Sequence, residues 1–166
     1  DVYKRQTQGG QPIISYNYGA NNPARIKKAF FLQTVVCFSY TTLIWLAVMF
    51  VPNLFVAIFT NDPELTQISV WALRIYMAGI LLMGFQTSCQ QTFIAFGNSK
   101  ISAFLAIYRK ILVLIPLIYI LPHLLDDQVF AIFLAEPIAD TIAVATTVTM
   151  FSISFKKLLK TMRKEA

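Results

Sequence analysis

The chain has 166 residues, of which 57% are hydrophobic and 13% charged, with a mean hydropathy of +0.61 and a formal net charge of +6. Ala29–Asn61, Ile75–Ser99 and Thr141–Phe155 hold no charged residue, which excludes an ordinary water-soluble domain and suits helices that cross a bilayer, each needing about 20 apolar residues. The cations sit at the ends of these runs (Arg25, Lys27 and Lys28; Lys156, Lys157, Lys160, Arg163 and Lys164), so they mark membrane topology and attraction to anionic lipid and not a nucleic-acid partner.

Asp1–Gln6 reads as an adaptor-derived scar and is set aside from fold reasoning. Residues 7–166 read as the C-terminal part of a longer chain. Thr7–Tyr18 is the tail of a helix. In Gly19-Ala20-Asn21-Asn22-Pro23, Asn22 suits an N-cap and Pro23 the first helical position. A spanning helix is predicted from Ile26 or Phe30 to Val51, with Pro52 as a kink or an end and an apolar continuation to Phe59. Asp62-Pro63-Glu64 repeats the cap, and a second span runs from Ser69 to Phe96, with Trp71, Arg74 and Tyr76 at its interfacial start. Gly97–Lys100 is a tight connection. A third span covers Ile101–Leu121, kinked at Pro116; an acidic loop, His123–Gln128, follows; the fourth span is Val129–Phe155, and a basic tail ends the chain. The fold class is therefore all-α, a polytopic transmembrane helical bundle. Basic loops alternate with acidic ones, which puts the basic loops and the C-terminus on the cytoplasmic side of a plasma (inner) membrane.

Cys37 and Cys89 fall inside apolar runs, and His123 is the lone histidine. This offers neither a metal site nor His-based catalysis, so no cofactor and no enzymatic activity are expected.

Ionisable side chains inside spans are costly and mark functional candidates. Glu136 and Asp140 share a helix face on either side of Pro137. At the helical rise, Asp140 lies roughly 16 Å from the outer end of its helix and Arg109 roughly 12 Å from the cytoplasmic end of the preceding one. An Arg109–Asp140 pair between these antiparallel neighbours is geometrically reasonable. It serves either as an ion-coupling site (Asp140, Glu136, Arg109) or as a neutralised clamp between two helices. Lys110 is expected to snorkel to the headgroups. On the second span, Gln86 and Gln90 with Met83 one turn earlier form a polar stripe, flanked by Thr87, Gln91 and Thr92. It is either a substrate-cavity wall or interhelical glue. Tyr40, with Gln33, Thr41 and Thr42 on the first span, admits the same two readings.

The stretch Gly10-Gln11-Pro12-Ile13-Ile14-Ser15-Tyr16-Asn17-Tyr18-Gly19-Ala20, followed by Asn21-Asn22 and Arg25, Lys27, Lys28 and Ala29, resembles the multidrug and toxic compound extrusion (MATE) family. Phe96-Gly97-Asn98-Ser99-Lys100 and Pro137-Ile138-Ala139-Asp140 add to the resemblance in the expected order. It implies two six-helix lobes, with this chain supplying the end of the eighth helix, the ninth to twelfth and the basic tail; the N-terminal lobe would be the missing partner. It also implies export of organic cations and other drugs in exchange for protons or sodium ions by alternating access. Gly10, Pro12, Tyr16, Asn17 and Gly19 would shape the helix end and gate loop. One departure stands out: some members carry an acidic cation site on the seventh and tenth helices, whereas the tenth here, Ser69–Phe96, has only Gln86, Gln90 and Gln91. Rival readings are a lipid-linked oligosaccharide flippase of the same superfamily and a non-transporting structural membrane subunit. A flippase would want a markedly cationic interior, and here Arg109 and Lys110 face two carboxylates.

Overall fold

The computed structural model describes the backbone of residues 2–164 and the side chains of residues 8–162. Asp1, the side chains of the rest of the segment set aside above, and those of Arg163 and Lys164 lie outside the described residues. The described chain is helical, as eight α-helices: α1 Val2–Gly19, α2 Pro23–Phe50, α3 Pro52–Val56, α4 Pro63–Tyr76, α5 Ile80–Ala95, α6 Ser99–Ile107, α7 Ile115–Leu124 and α8 Gln128–Lys164. A 3₁₀ turn, Met77–Gly79, joins α4 to α5, and a π-helical segment, Tyr108–Leu114, joins α6 to α7. Among the described residues four continuous stretches are long and apolar enough to cross a bilayer: Pro23–Phe50, Pro63–Ala95, Ser99–Leu124 and Gln128–Met162.

Local chemistry sets the boundaries. Asn22 Oδ1 accepts from Arg25 N at 3.1 Å, and Pro23 occupies the first turn of α2, where no N–H is needed. Asp62 Oδ1 accepts from Glu64 N and Leu65 N at 2.9 and 3.3 Å to open α4. Asp127 Oδ1 accepts from Phe130 N at 3.0 Å to open α8. At the C-terminus of α5, Gly97 takes φ +78° while Gly97 N bonds Ile94 O and Asn98 N bonds Phe93 O, a Schellman closure. Helix α1 closes in the same way, but the left-handed residue is Asn21 (φ 50°) and not Gly19. Val51, ahead of Pro52, leaves the helical region and ends α2. Arg74 Nη2 reaches back from α4 to the Met49 carbonyl at 3.1 Å and satisfies one of the orphan acceptors there.

The helix of the second span opens at Pro63, as its Asp62–Pro63 cap predicts. Two further points go beyond the sequence reading. The irregularity expected at Pro116 takes the form of the π-helical segment Tyr108–Leu114 in the turns just before it, where the proline ring crowds the Leu112 carbonyl and has no N–H to offer it. The basic tail continues α8 as helix to Lys164, since Leu158, Leu159 and Met162 recur at helical spacing and Met162 is buried.

The buried apolar core lies where α1 ends, α2 begins, α5 ends and α8 ends. Ile14, Ile26, Phe93, Phe96, Leu105 and Phe151 form an apolar core there, with Phe30 and Phe155 stacked on it. Along α8 a row of Ala131, Ala135, Ala139 and Ala143 is buried. Small side chains every fourth residue let neighbouring helices approach closely, which is how helices associate in lipid without a hydrophobic drive. The apolar side chains left exposed, such as Phe31, Leu43, Ile111 and Ile153, suit contact with lipid.

Candidate functional site

Arg109, Lys110, Glu136 and Asp140 converge on one cluster. Arg109 and Lys110 lie on the π-helical segment, and Glu136 and Asp140 lie one turn apart on α8. Arg109 Nε donates to Asp140 Oδ1 at 2.6 Å and Arg109 Nη2 to Glu136 Oε1 at 2.9 Å. Arg109 Nη2 also contacts Asp140 Oδ1. Lys110 Nζ lies 3.1 Å from Glu136 Oε1, an ion pair in place of the expected snorkelling, although more than half of its side chain stays exposed. Glu136 and Asp140 are 8% and 4% exposed. Carboxylates buried so deeply persist as charges only when paired and hydrogen-bonded, and the two cations supply that pairing.

The cluster sits between the two irregular helix segments. The π segment carries the cations. Opposite it, Asp140 packs on Gly79, the last residue of the 3₁₀ turn. A Cβ at Gly79 would lie 2.7 Å from Asp140 Oδ2 and 2.9 Å from its Cβ, so only glycine fits beside this carboxylate as it stands. Sequence reasoning found the Arg109–Asp140 pair from matching depths. It missed Gly79, whose neighbour depends on helix rotation and not on spacing.

The second set of candidates behaves differently. Gln86 on α5 is 2% exposed. Its Oε1 has no hydrogen-bond partner among the described residues. Met83, Gln90 and Tyr40 are half-buried. The hydroxyls along α5 turn back on their own helix: Thr87 to Met83 O, Ser88 to Gly84 O and Thr92 to Ser88 O, all at 2.8 to 2.9 Å. Gln33 crosses from α2, its Nε2 donating to Ser88 O at 3.3 Å. Next to it Gly84 allows α5 to meet α2 closely, since a Cβ there would lie 3.1 Å from Phe38 Cα.

The α1 motif is structurally exacting at two of its five positions. Gly10 faces the Gln33 side chain, which fills the space that a Cβ would need. Asn17 is buried; its Nδ2 donates to Ile13 O at 2.8 Å, and its carbonyl accepts Asn22 N at 2.9 Å, closing the helix end. Pro12, Tyr16 and Gly19 are exposed. Ser15, inside the motif, donates to Ala95 O at 2.9 Å and ties α1 to the end of α5. A groove of about 480 Å³ runs between α1 and α2, lined by Gly10, Ile13, Asn17, Arg25, Lys28 and Gln33 among others. Among the described residues no three His, Cys, Asp or Glu side chains are grouped to hold a metal ion.

Apolar spanning helices around a buried, charge-balanced cluster define a polytopic membrane protein with a candidate functional site inside the membrane. The MatE family model matches residues 7–120, and the chain belongs to that family, whose proteins are transporters and not enzymes. Comparison with solved structures agrees. An inward-facing multidrug resistance MATE family transporter of the MOP superfamily aligns at TM-score 0.85 and 17% identity over 96% of this chain and 39% of that one. The MATE multidrug transporter DinF-BH, in a ligand complex, aligns at 0.83 and 30% identity over 93% of this chain and 34% of that one. A MATE protein in the straight conformation aligns at 0.86 and 17% identity over 93% and 34%. The chain thus spans between a third and two fifths of the length of these proteins. No curated protein sequence gave a match.

Proposed function

We propose that this chain is the greater part of the C-terminal lobe of a multidrug exporter that moves organic cations and other xenobiotics by alternating access, in exchange for protons or sodium ions. One observation carries the reading: two carboxylates buried within the bundle, Glu136 and Asp140, are bridged by a single guanidinium, that of Arg109. A proton or a sodium ion arriving at either carboxylate competes with Arg109 for it. Binding of the coupling ion would then loosen the third span from the fourth, which is the differential interaction that any ligand-driven change of state needs. The solved relatives named as multidrug transporters, one of them in a ligand complex, support the substrate class. In this reading Met83, Gln86, Gln90 and Tyr40 belong to the substrate path. The chain lies in the plasma membrane with its C-terminus cytoplasmic, and the N-terminal lobe supplies the facing wall. The test is dye efflux by the complete gene product under imposed proton or sodium gradients. Asp140→Asn should abolish the gradient dependence while the protein still folds. Normal efflux with normal ion dependence would overturn the proposal.

A further inference from the structure

A second charged feature lies at the end of the bundle where α2 begins and α8 ends. Lys27 on α2 and Lys156 and Lys160 on α8 rim a groove floored by Phe30, Phe155 and Leu159. The three lysines are exposed and the three apolar side chains half-buried. Lys156 and Lys160 stand one helical turn apart on a common face. The floor is firm: the Phe30 and Phe155 rings lie 5.3 Å apart, and both pack on buried Phe151, at 4.8 and 5.0 Å. Among the described residues no acid answers these cations. Residues 21–28 and 155–164 contain neither Asp nor Glu, and among the described residues none of the three lysines is ion-paired.

Three ammonium groups gathered on one groove repel each other unless an anion joins them. A small hydrated anion would meet the lysines and leave the aromatic floor uncovered. A phospholipid meets both, with its phosphate at the lysines and its glycerol and first methylenes on Phe30, Phe155 and Leu159. The surface continues the same way into the span. One turn inward from Lys27 is Phe31, 68% exposed, and one turn inward from Lys156 is Ile153, 66% exposed, a track for acyl chain. Basic pockets between spanning helices at the membrane boundary are a recognised chemistry for acidic headgroups.

We propose that this groove binds one anionic phospholipid of the phosphatidylglycerol type at a defined site. The inference rests on the membrane-spanning architecture and not on the transport reading, and it holds whichever side of the membrane this end faces. The experiment uses the purified full-length protein carrying this chain, in detergent, titrated with phosphatidylglycerol, phosphatidylcholine or inorganic phosphate, with bound lipid read by native mass spectrometry. Native protein should retain phosphatidylglycerol in preference to phosphatidylcholine. At roughly fivefold per lysine near the surface, K27Q/K156Q/K160Q should weaken retention about 100-fold. A charge-matched control, K28Q/K100Q/K157Q, should retain most of it. Equal loss in both triples means diffuse attraction and overturns the proposal. So does inorganic phosphate displacing the lipid at equal concentration, or equal retention of the two lipids by native protein. If the glutamine triple fails to fold, K27R/K156R/K160R is measured instead and must keep the preference for phosphatidylglycerol; its loss refutes the site.

Discussion

Arg109→Met removes the guanidinium and leaves Glu136 and Asp140 buried. Arg109 makes three contacts to these carboxylates: Nε to Asp140 Oδ1 at 2.6 Å, Nη2 to Glu136 Oε1 at 2.9 Å, and Nη2 to Asp140 Oδ1. Lys110 remains for Glu136 at 3.1 Å, but no hydrogen bond joins it to Asp140, which is 4% exposed. Stranding one member of a buried ion pair costs about 3–5 kcal/mol. The partly exposed Lys110 screens Glu136, so the lower half of that range, about 3–4 kcal/mol, is expected here. The companion variant Arg109→Met/Glu136→Gln/Asp140→Asn strands no carboxylate, and replacing a whole buried ionic group is often neutral, so its stability should lie within about 1 kcal/mol of the native chain. The assay is denaturant unfolding of the full-length protein in detergent micelles, followed by the fluorescence of Trp45 and Trp71. If Arg109→Met is as stable as the triple variant, the cluster is not a set of mutually dependent charges and the reasoning fails.

Gly84→Ala puts a Cβ 2.9 Å from Thr41 Oγ1 and 3.1 Å from Phe38 Cα. Backbone cannot rotate away as a side chain can, so α2 and α5 must separate, at about 1–3 kcal/mol in the same unfolding assay. Gly19→Ala, with nothing within 4 Å of the added carbon, is the control and should show no such loss. Asp62→Ala removes the acceptor for Glu64 N and Leu65 N and should cost about 1 kcal/mol, whereas Asp62→Asn keeps most of the cap; thermal unfolding of the two variants separates them.

Helix starts were legible because they rest on local chemistry. Asn22-Pro23 and Asp62-Pro63 each pair a capping acceptor with a residue that needs no donor, and both caps form. The Arg109–Asp140 pair was legible for another reason: consecutive antiparallel helices of known rise fix relative depth. Rotation about a helix axis is not encoded in this simple way. The Gly79–Asp140 contact, the close approach at Gly84 and the bond from Ser15 to Ala95 therefore surface only once the helices are packed. The π segment was hidden for a related reason. Pro116 is a conspicuous breaker, but whether it bends the helix or widens the turns before it is not written in its position, and the widened turns bring Arg109 and Lys110 to the carboxylates of α8.

The bundle is fastened in two chemically different ways. At the basic end, Phe30, Phe93, Phe96, Phe151 and Phe155 hold α2, α5 and α8 together by ring and methylene contact, a bond indifferent to proton activity, sodium or salt. The third span takes no part in that aromatic zipper beyond Ile101 and Leu105; further along, its hold on α8 includes the charges of Arg109 and Lys110. Ionic conditions therefore bear on the middle of the bundle, where Arg109 and Lys110 of the third span meet Glu136 and Asp140 beside Gly79 of the second, and bear far less on the aromatic end.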